Sequence, residues 1–176
     1  VVTAPNERTE VAATKLLWRM VHAVQGGPQL DLYLTAPEAG LATPTFIAPL
    51  GYKSATENRE LTLQRQTGES ETATLFVNMT FELRETGTGT VVYNSGPLQF
   101  NERSRVFFAI VPNAGAPDGK PVQLATLGLD GSGGTVRDPS DPATIRLVNM
   151  SNDSPAMDLY RVPSTPLATN VGFGMA

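Results

Sequence analysis

The alternation of hydrophobic and polar residues near the N-terminus predicts two β-strands. Residues 16–24 (LLWRMVHAV) form a nearly continuous apolar run, which suits a strand covered on both faces or a short buried helix. Residues 30–34 (LDLYL) alternate strictly, which is typical of a half-buried strand. Because a strand follows so closely, we interpret the first segment as a strand too. In the second strand one face carries Leu30, Leu32 and Leu34, and the other carries Asp31 and Tyr33.

The residues between these two strands form a predicted turn. Gly26 and Gly27 can adopt positive φ, and Pro28 cannot continue a ladder of backbone hydrogen bonds. A short turn between two strands commonly closes an antiparallel hairpin. We therefore predict that residues 16–24 and 30–34 pair with each other.

The rest of the chain up to residue 129 shows short β-rich segments separated by Gly- and Pro-containing turns, and no convincing amphipathic helix. This pattern is typical of an all-β sandwich. We predict an Ig-like antiparallel β-sandwich of Greek-key type. The further predicted strands are 45–48, 60–65, 72–83, 90–94, 97–100, 103–112 and 122–129.

The chain repeats its first predicted hairpin. Residues 145–160 match residues 18–33 at a constant offset of 127 (145 − 18), with six identities among sixteen positions. Such self-similarity indicates a second copy of one structural unit. The identical pairs are Arg19/Arg146, Val21/Val148, Pro28/Pro155, Asp31/Asp158, Leu32/Leu159 and Tyr33/Tyr160.

The repeat and a Gly/Ser/Pro-rich stretch divide the chain into four predicted parts. A hairpin alone buries too little to be stable in water. We therefore predict that residues 144–161 are ordered through pairing with a sheet, either within the chain or in a homodimer that exchanges this hairpin. The parts are an N-terminal arm (1–14), a sandwich domain (15–130), a linker (131–143) and a partial second repeat (144–176), with Pro155 in the turn of the second hairpin.

Composition limits the chemistry that the chain can perform. Its 176 residues include 13 Lys and Arg against 17 Asp and Glu, and the basic residues are dispersed, which argues against a nucleic-acid partner. Cysteine is absent, which excludes disulfides and thiolate chemistry. No transmembrane run occurs, and the start lacks the layout of a signal peptide, as a mature or trimmed chain also would.

The repeated segment resembles the opening of a bacterial family of Ig-like repeats, the domain-of-unknown-function family 4397. Members of this family read like R-V-V-H-A-S-P-x-A-P-x-V-D-V-Y, and the second copy departs from this pattern at Asn149, where the family has histidine. Residues 50–52, 171–173 and 87–100 look like later parts of the same family. The matching positions are Arg19, Val21, His22, Ala23, Pro28, Asp31 and Tyr33, then Arg146, Val148, Ser151, Pro155, Asp158 and Tyr160.

The resemblance implies a module of secreted or lipid-anchored envelope proteins, often found in tandem. It brings no catalytic residue, ligand or cofactor. We therefore predict a non-enzymatic extracytoplasmic module, periplasmic or at the cell surface, that serves binding, adhesion or spacing. Its predicted partner is a protein or glycan of the cell envelope. The alternative is a hydrolase or carbohydrate-active enzyme whose paired acids meet only in the fold.

Several polar residues are candidates for either chemistry or structure. His22 is the sole histidine, which is too few for a zinc site without converging carboxylates, so we interpret it as a hydrogen-bonding residue at a strand end. Arg19–Asp31 and Arg146–Asp158 are predicted to be equivalent charge pairs across hairpins. We interpret the remaining loop carboxylates as solvated linker residues, because their spacing fits no EF-hand calcium loop. They are Asp130, Asp138 and Asp141.

Overall fold

The computed structural model describes residues 11–64, 73–113, 120–128, 131–141, 155–161 and 165–171. The chain divides into two compact units, Val1–Pro142 and Ala143–Ala176. In the described part of the chain, no helix is long and apolar enough to cross a membrane. The strands are β1 (Lys15–His22), β2 (Leu30–Ala36), β3 (Leu41–Leu50), β4 (Arg59–Thr62), β5 (Phe76–Glu85), β6 (Val91–Asn94), β7 (Leu98–Asn101), β8 (Arg105–Pro112), β9 (Val122–Gly128), β10 (Gly133–Val136), β11 (Met157–Arg161) and β12 (Thr165–Val171), and a 3-10 helix, Pro37–Ala39, joins β2 to β3.

The first unit is a two-sheet β-sandwich, which confirms the predicted fold class. Sheet A has the strand order β10-β9-β8-β1-β4. Sheet B has the order β3-β2-β5-β6, and β7 pairs with the first half of β5. Neighbouring strands are antiparallel except β1 and β8, which run parallel over six residue pairs, from Leu17↔Arg105 to His22↔Ile110.

The core lies between the two sheets and is built by alternation. The strands β1, β2 and β5 bury every second residue along most of their length, so each contributes one apolar face. At its centre Trp18, Phe81 and Phe108 pack edge to face, with ring centroids 5.2 Å apart for Trp18–Phe81 and 4.6 Å apart for Phe81–Phe108. As predicted, the buried face of β2 carries Leu30, Leu32 and Leu34, and its outward face carries Asp31 and Tyr33.

β1 and β2 do not form the predicted hairpin. β1 pairs with β4 and β8 in sheet A, whereas β2 pairs with β3 and β5 in sheet B. Residues 23–29 therefore carry the chain across the sandwich, and they are long enough to span the roughly 10 Å between stacked sheets. Six-residue pairings with β8 and with β5 satisfy far more backbone groups than a short local hairpin would. The prediction of a hairpin from the local turn residues was wrong because both strands have these long-range partners.

The stretch predicted as a linker is built into the first unit. β10 pairs antiparallel with residues 124–127 of β9, and the compact unit ends at Pro142. One of its glycines, Gly133, reflects close packing rather than flexibility, because a Cβ atom there would lie 2.8 Å from the carbonyl oxygen of Thr126. The boundary predicted after residue 130 is therefore too early.

In the second unit, β11 and β12 form an antiparallel hairpin. Met157 pairs with Val171, just as Leu30, 127 residues earlier, pairs with Leu50 in β3. A register shift follows Leu32 in the first hairpin and Leu159 in the second. The hairpin that the two copies share is therefore β2–β3, with its bulge. The second copy of β1, which the offset of 127 places at residues 142–149, lies outside the described residues.

Candidate binding surfaces

His22 is fully buried at the end of β1 and holds the crossing between the sheets. Its Nδ1 accepts a hydrogen bond from the Val24 backbone N–H at 3.3 Å, and its Nε2 lies 3.2 Å from the Pro28 carbonyl oxygen. Since Nδ1 is the acceptor, Nε2 carries the proton. The neutral ring therefore links the two ends of the crossing by hydrogen bonds. Burial lowers the pKa of His22, although its backbone hydrogen bonds act in the opposite direction. The prediction of a structural histidine at a strand end is confirmed.

Asp138 anchors the segment that follows β10. Its carboxylate is buried and accepts hydrogen bonds from the backbone N–H of Asn94 at 2.8 Å and from both the backbone and the hydroxyl of Ser140 at 2.8 and 2.6 Å. Burial alone would raise the pKa of Asp138, but the donors from Ser140 and Asn94, with the charge of Lys120, together lower it. The group is therefore an ionised structural anchor, and the prediction of a solvated linker residue is wrong.

Asp141 extends this anchor to the loop before β9. Its two carboxylate oxygens accept hydrogen bonds from the Lys120 backbone N–H at 2.6 Å and from the Asn113 side-chain amide at 2.7 Å. Beside them, the hydroxyl of Tyr93 donates to the carbonyl oxygen of Val136. Burial, together with the charges of Asp138 and Asp141, raises the pKa of Tyr93. Asp130 lies outside the described residues.

Arg19 and Asp31 occupy the outward faces of different sheets, so the geometry expected for a cross-hairpin pair is absent. Arg19 Nε donates to the carbonyl oxygen of Thr56 at 2.9 Å, and Asp31 accepts a hydrogen bond from the Thr86 hydroxyl at 2.7 Å. The predicted pair in the second copy, Arg146–Asp158, stays a prediction, because Arg146 lies outside the described residues. Gly26 has φ 72° within the crossing, the positive value that glycine permits.

The outer face of sheet B carries an aromatic and charged surface that we call the Tyr33 patch, formed by Tyr33, Phe46 and Arg84. The rings of Tyr33 and Phe46 pack edge to face with centroids 5.6 Å apart, and the Arg84 guanidinium lies 4.4 Å from the centroid of Tyr33. Phe46 is 52% exposed. Arg84 is fixed in turn by Glu82, whose carboxylate accepts from Arg84 Nε at 2.6 Å.

Two of the residues that the two copies share fall on this outer face. Asp31 and Tyr33 are outward-facing yet recur as Asp158 and Tyr160, whereas the inward-facing Leu34 aligns with Arg161. Core packing does not require a carboxylate and a phenol on the solvent side of a sheet. The repeat therefore keeps, in sequence, two residues that lie on the surface of the first unit.

A pocket of about 540 Å³ opens at the end of the sandwich between the β7–β8 turn and the β9–β10 turn. Phe100 and Val106 give it an apolar wall, and Arg103 and Arg105 give it positive charge. The other described lining residues are small or hydroxylated, namely Ser104, Thr126, Gly128, Ser132, Gly133 and Gly134.

Neither surface was identified from the sequence. Alternation places Tyr33 outward, but its neighbours Phe46 and Arg84 come from strands whose pairing with β2 is not encoded locally. The pocket joins four strand ends from separate parts of the chain. Within the described ranges, no group of three His, Cys, Asp or Glu residues is placed to hold a metal ion.

No family model and no curated protein matches the chain. The resemblance to family 4397 therefore stays a prediction. One solved structure similar to the chain is a protein from Bacteroides ovatus described as a candidate adhesin, with 13% sequence identity and a TM-score of 0.35. The match covers 74% of this chain and 50% of that protein, so this chain spans about half of its length.

Proposed function

We propose that the protein is a non-enzymatic binding module of the bacterial envelope that recognises a glycan through the Tyr33 patch. The observation that carries this proposal is the recurrence of the outward-facing Asp31 and Tyr33 in the second copy, beside the half-exposed ring of Phe46. A surface that only separated other domains would have no need to keep an aromatic ring and a carboxylate at these positions of the repeat.

The chemistry of the patch suits a sugar. Aromatic rings present an apolar face with a polar edge, against which the C–H face of a pyranose can stack. Charged and polar groups on the same strands can bind its hydroxyls, and Arg84 and Glu82 are held in position by their mutual ion pair. β3 is the edge strand beside this patch, and Pro44 and Pro49 make it a poor template for strand addition by a protein partner.

Location and assembly complete the proposal. The resemblance to family 4397 supports an extracytoplasmic position, either periplasmic or at the cell surface, with lipid anchoring as one means of attachment. The first residue pair and the register shift before the tyrosine, which β2–β3 and β11–β12 have in common, support a tandem arrangement of repeats. Exchange of the second hairpin between two copies of the chain stays a prediction.

The proposal is tested by native affinity gels that contain laminarin, xyloglucan or mannan. We expect at least one of these polysaccharides to retard the wild-type protein, and Tyr33→Ala and Phe46→Ala to abolish the retardation. Phe76→Ala is the matched control, because Phe76 is 49% exposed on the same outer face. It lies six residues along β5 from Glu82, the pairing partner of Tyr33, at a distance of about 20 Å.

Thermal unfolding of the variants separates a loss of glycan binding from a loss of folding. All three variants should remain folded, since each changes an outward-facing side chain. A wild-type protein that migrates freely through all three polysaccharides would contradict the proposal. So would a Phe46→Ala variant that is retarded as strongly as the wild type.

A further inference from the structure

We infer that the outer face of sheet A is a dimer interface, which packs against the same face of a second copy of the chain. The contact is centred on six apolar side chains, which we call the Phe107 face. In β1 and β8 these residues alternate with buried ones, and the register places the β9 members beside them on the same side of the sheet. The members are Val21 in β1, Phe107, Ala109 and Val111 in β8, and Ala125 and Leu127 in β9.

The outer faces of the two sheets differ in polarity. An antiparallel sheet with one face on the core commonly presents polar residues on the other. Sheet B follows this rule apart from Phe76 and Tyr33, because the other outward residues of β2 and β5 are Asp31, Thr35, Asn78, Thr80, Glu82 and Arg84. Sheet A does not follow it, and Leu127 is 53% exposed. A contiguous apolar area of this kind indicates an interaction surface.

The sequence of the central strands of sheet A also indicates burial on both sides. Residues 106–111 (VFFAIV) are all apolar, and residues 16–24 (LLWRMVHAV) are nearly so. Such runs are typical of strands that are covered on both faces. In the first unit every described strand belongs to one of the two sheets, and the core lies between them. The outer side of β1 and β8 therefore has no cover among the described strands of this unit.

The relief of the Phe107 face fits a second copy of itself. Phe107 and Leu127 pair across β8 and β9 as a ridge, and the next outward pair, Ala109 and Ala125, forms a groove. Outward residues two apart on a strand are about 7 Å from each other, so the ridge and the groove lie side by side. A two-fold axis in the plane of contact, parallel to the ridge and midway between ridge and groove, places each ridge in the groove of the other copy. This is the self-complementary contact of a closed dimer.

The size and twist of sheet A suit the same partner. The sheet has two strands of eight residues, one of seven and two of four, which give a face of about 500 Å² in projection at about 4.8 Å between strands and 3.3 Å along them. Side chains raise the accessible area above this projection, towards the roughly 800 Å² per partner of a standard interface. Two sheets of equal twist stack face to face at about −30°.

Charged residues lie beside the Phe107 face rather than within it. Lys15 Nζ pairs with Glu60 Oε1 of β4 at 2.6 Å, and Arg19 Nε donates to the Thr56 carbonyl oxygen at 2.9 Å. Both partners are on the β4 side of β1, away from β8 and β9. Contact between two copies therefore buries no charge at its centre, where an unpaired charge would be costly. The Tyr33 patch, on the other sheet, stays exposed in both copies, and the inference does not depend on the function proposed for it.

Sedimentation equilibrium of the whole protein tests the inference. We expect the average mass to rise from that of one chain to that of two across micromolar concentrations, because interfaces of this size give affinities of micromolar or tighter. Ala109→Arg should weaken association by about a hundredfold or more, since it fills the groove with an unpaired charge. Leu127→Lys, at the most exposed member of the face, should act in the same direction by charging the ridge.

Thr80→Arg is the matched control, because it adds the same charge at an outward position of a central strand in sheet B. It should dimerise like the wild type, and thermal unfolding should show that all three variants fold. A wild-type protein that stays monomeric would overturn the inference, and cosedimentation of that monomer with phosphatidylglycerol vesicles, abolished by Leu127→Lys, would assign the face to lipid. A dimer that persists in both sheet A variants would also overturn it, in favour of the predicted exchange of the second hairpin. Equal weakening by Thr80→Arg would contradict a contact confined to sheet A.

Discussion

The crossing at residues 23–29 and the segment at residues 137–141 are each held by one buried polar side chain, but the two side chains act in opposite charge states. His22 is neutral and bonds the two ends of the crossing, whereas Asp138 is ionised and accepts three hydrogen bonds. Burial disfavours charge at both sites. At Asp138 the hydrogen-bond donors and the charge of Lys120 outweigh burial, whereas at His22 the carbonyl acceptor that would favour the cation does not. The balance between burial and the partners that favour the charged form therefore decides whether the buried group is an ion or a neutral ring.

The largest expected effect comes from removing the charged anchor. Asp138→Ala leaves the part-buried backbone N–H groups of Asn94 and Ser140 without their acceptor. Each unsatisfied buried donor costs roughly 1–3 kcal/mol, so we expect a loss of about 3 kcal/mol in the free energy of unfolding. Urea unfolding at pH 7.5 measures this loss.

Asp31→Ala is the control for this change. Its carboxylate accepts one exposed hydrogen bond, from Thr86, and we expect a loss below about 1 kcal/mol. Equal losses in the two variants would show that Asp138 is not an anchor. The same result would restore the interpretation of Asp138 as a solvated residue.

The two regions also show how far the sequence could predict the molecule. Alternation identified the strands and the inward residues of β2, because side-chain direction in a strand depends only on local geometry. It could not identify the partner of β1, which is chosen by contacts with β8, some 88 residues away (105 − 17). Glycine-rich composition suggested a linker at Gly133 because flexibility and close packing favour the same residue. The Tyr33 patch and the pocket at the end of the sandwich depend on the same long-range pairings.

A smaller effect is expected when the neutral His22 ring is replaced. His22→Leu removes both the acceptor for Val24 N–H and the donor to the Pro28 carbonyl, so we expect a loss of about 2 kcal/mol. His22→Asn introduces the residue that the second copy has at position 149 and retains one acceptor and one donor, so its loss should be about half as large. Urea unfolding at pH 7.5 compares the two variants. A His22→Asn variant less stable than His22→Leu would argue against a hydrogen-bonding role.

The smallest effect is a pH dependence that separates the two side chains. The pKa of His22 in the folded protein lies below its ordinary value of 6.5, so the unfolded chain binds a proton first. The stability that His22 contributes is therefore complete above pH 6.5 and is lost as the pH falls from there towards the folded pKa. The pKa of Asp138 lies below its ordinary value of 3.8, so its contribution to stability persists until the pH falls below about 4 and is lost as the pH falls through the folded pKa.

Unfolding free energies measured from pH 8 to pH 3 should show that His22→Asn flattens the slope between pH 7 and 5 alone, while Asp138→Asn flattens only the acidic end. If His22→Asn leaves the slope between pH 7 and 5 unchanged, then His22 is not held neutral by burial, and the contrast between the two anchors fails.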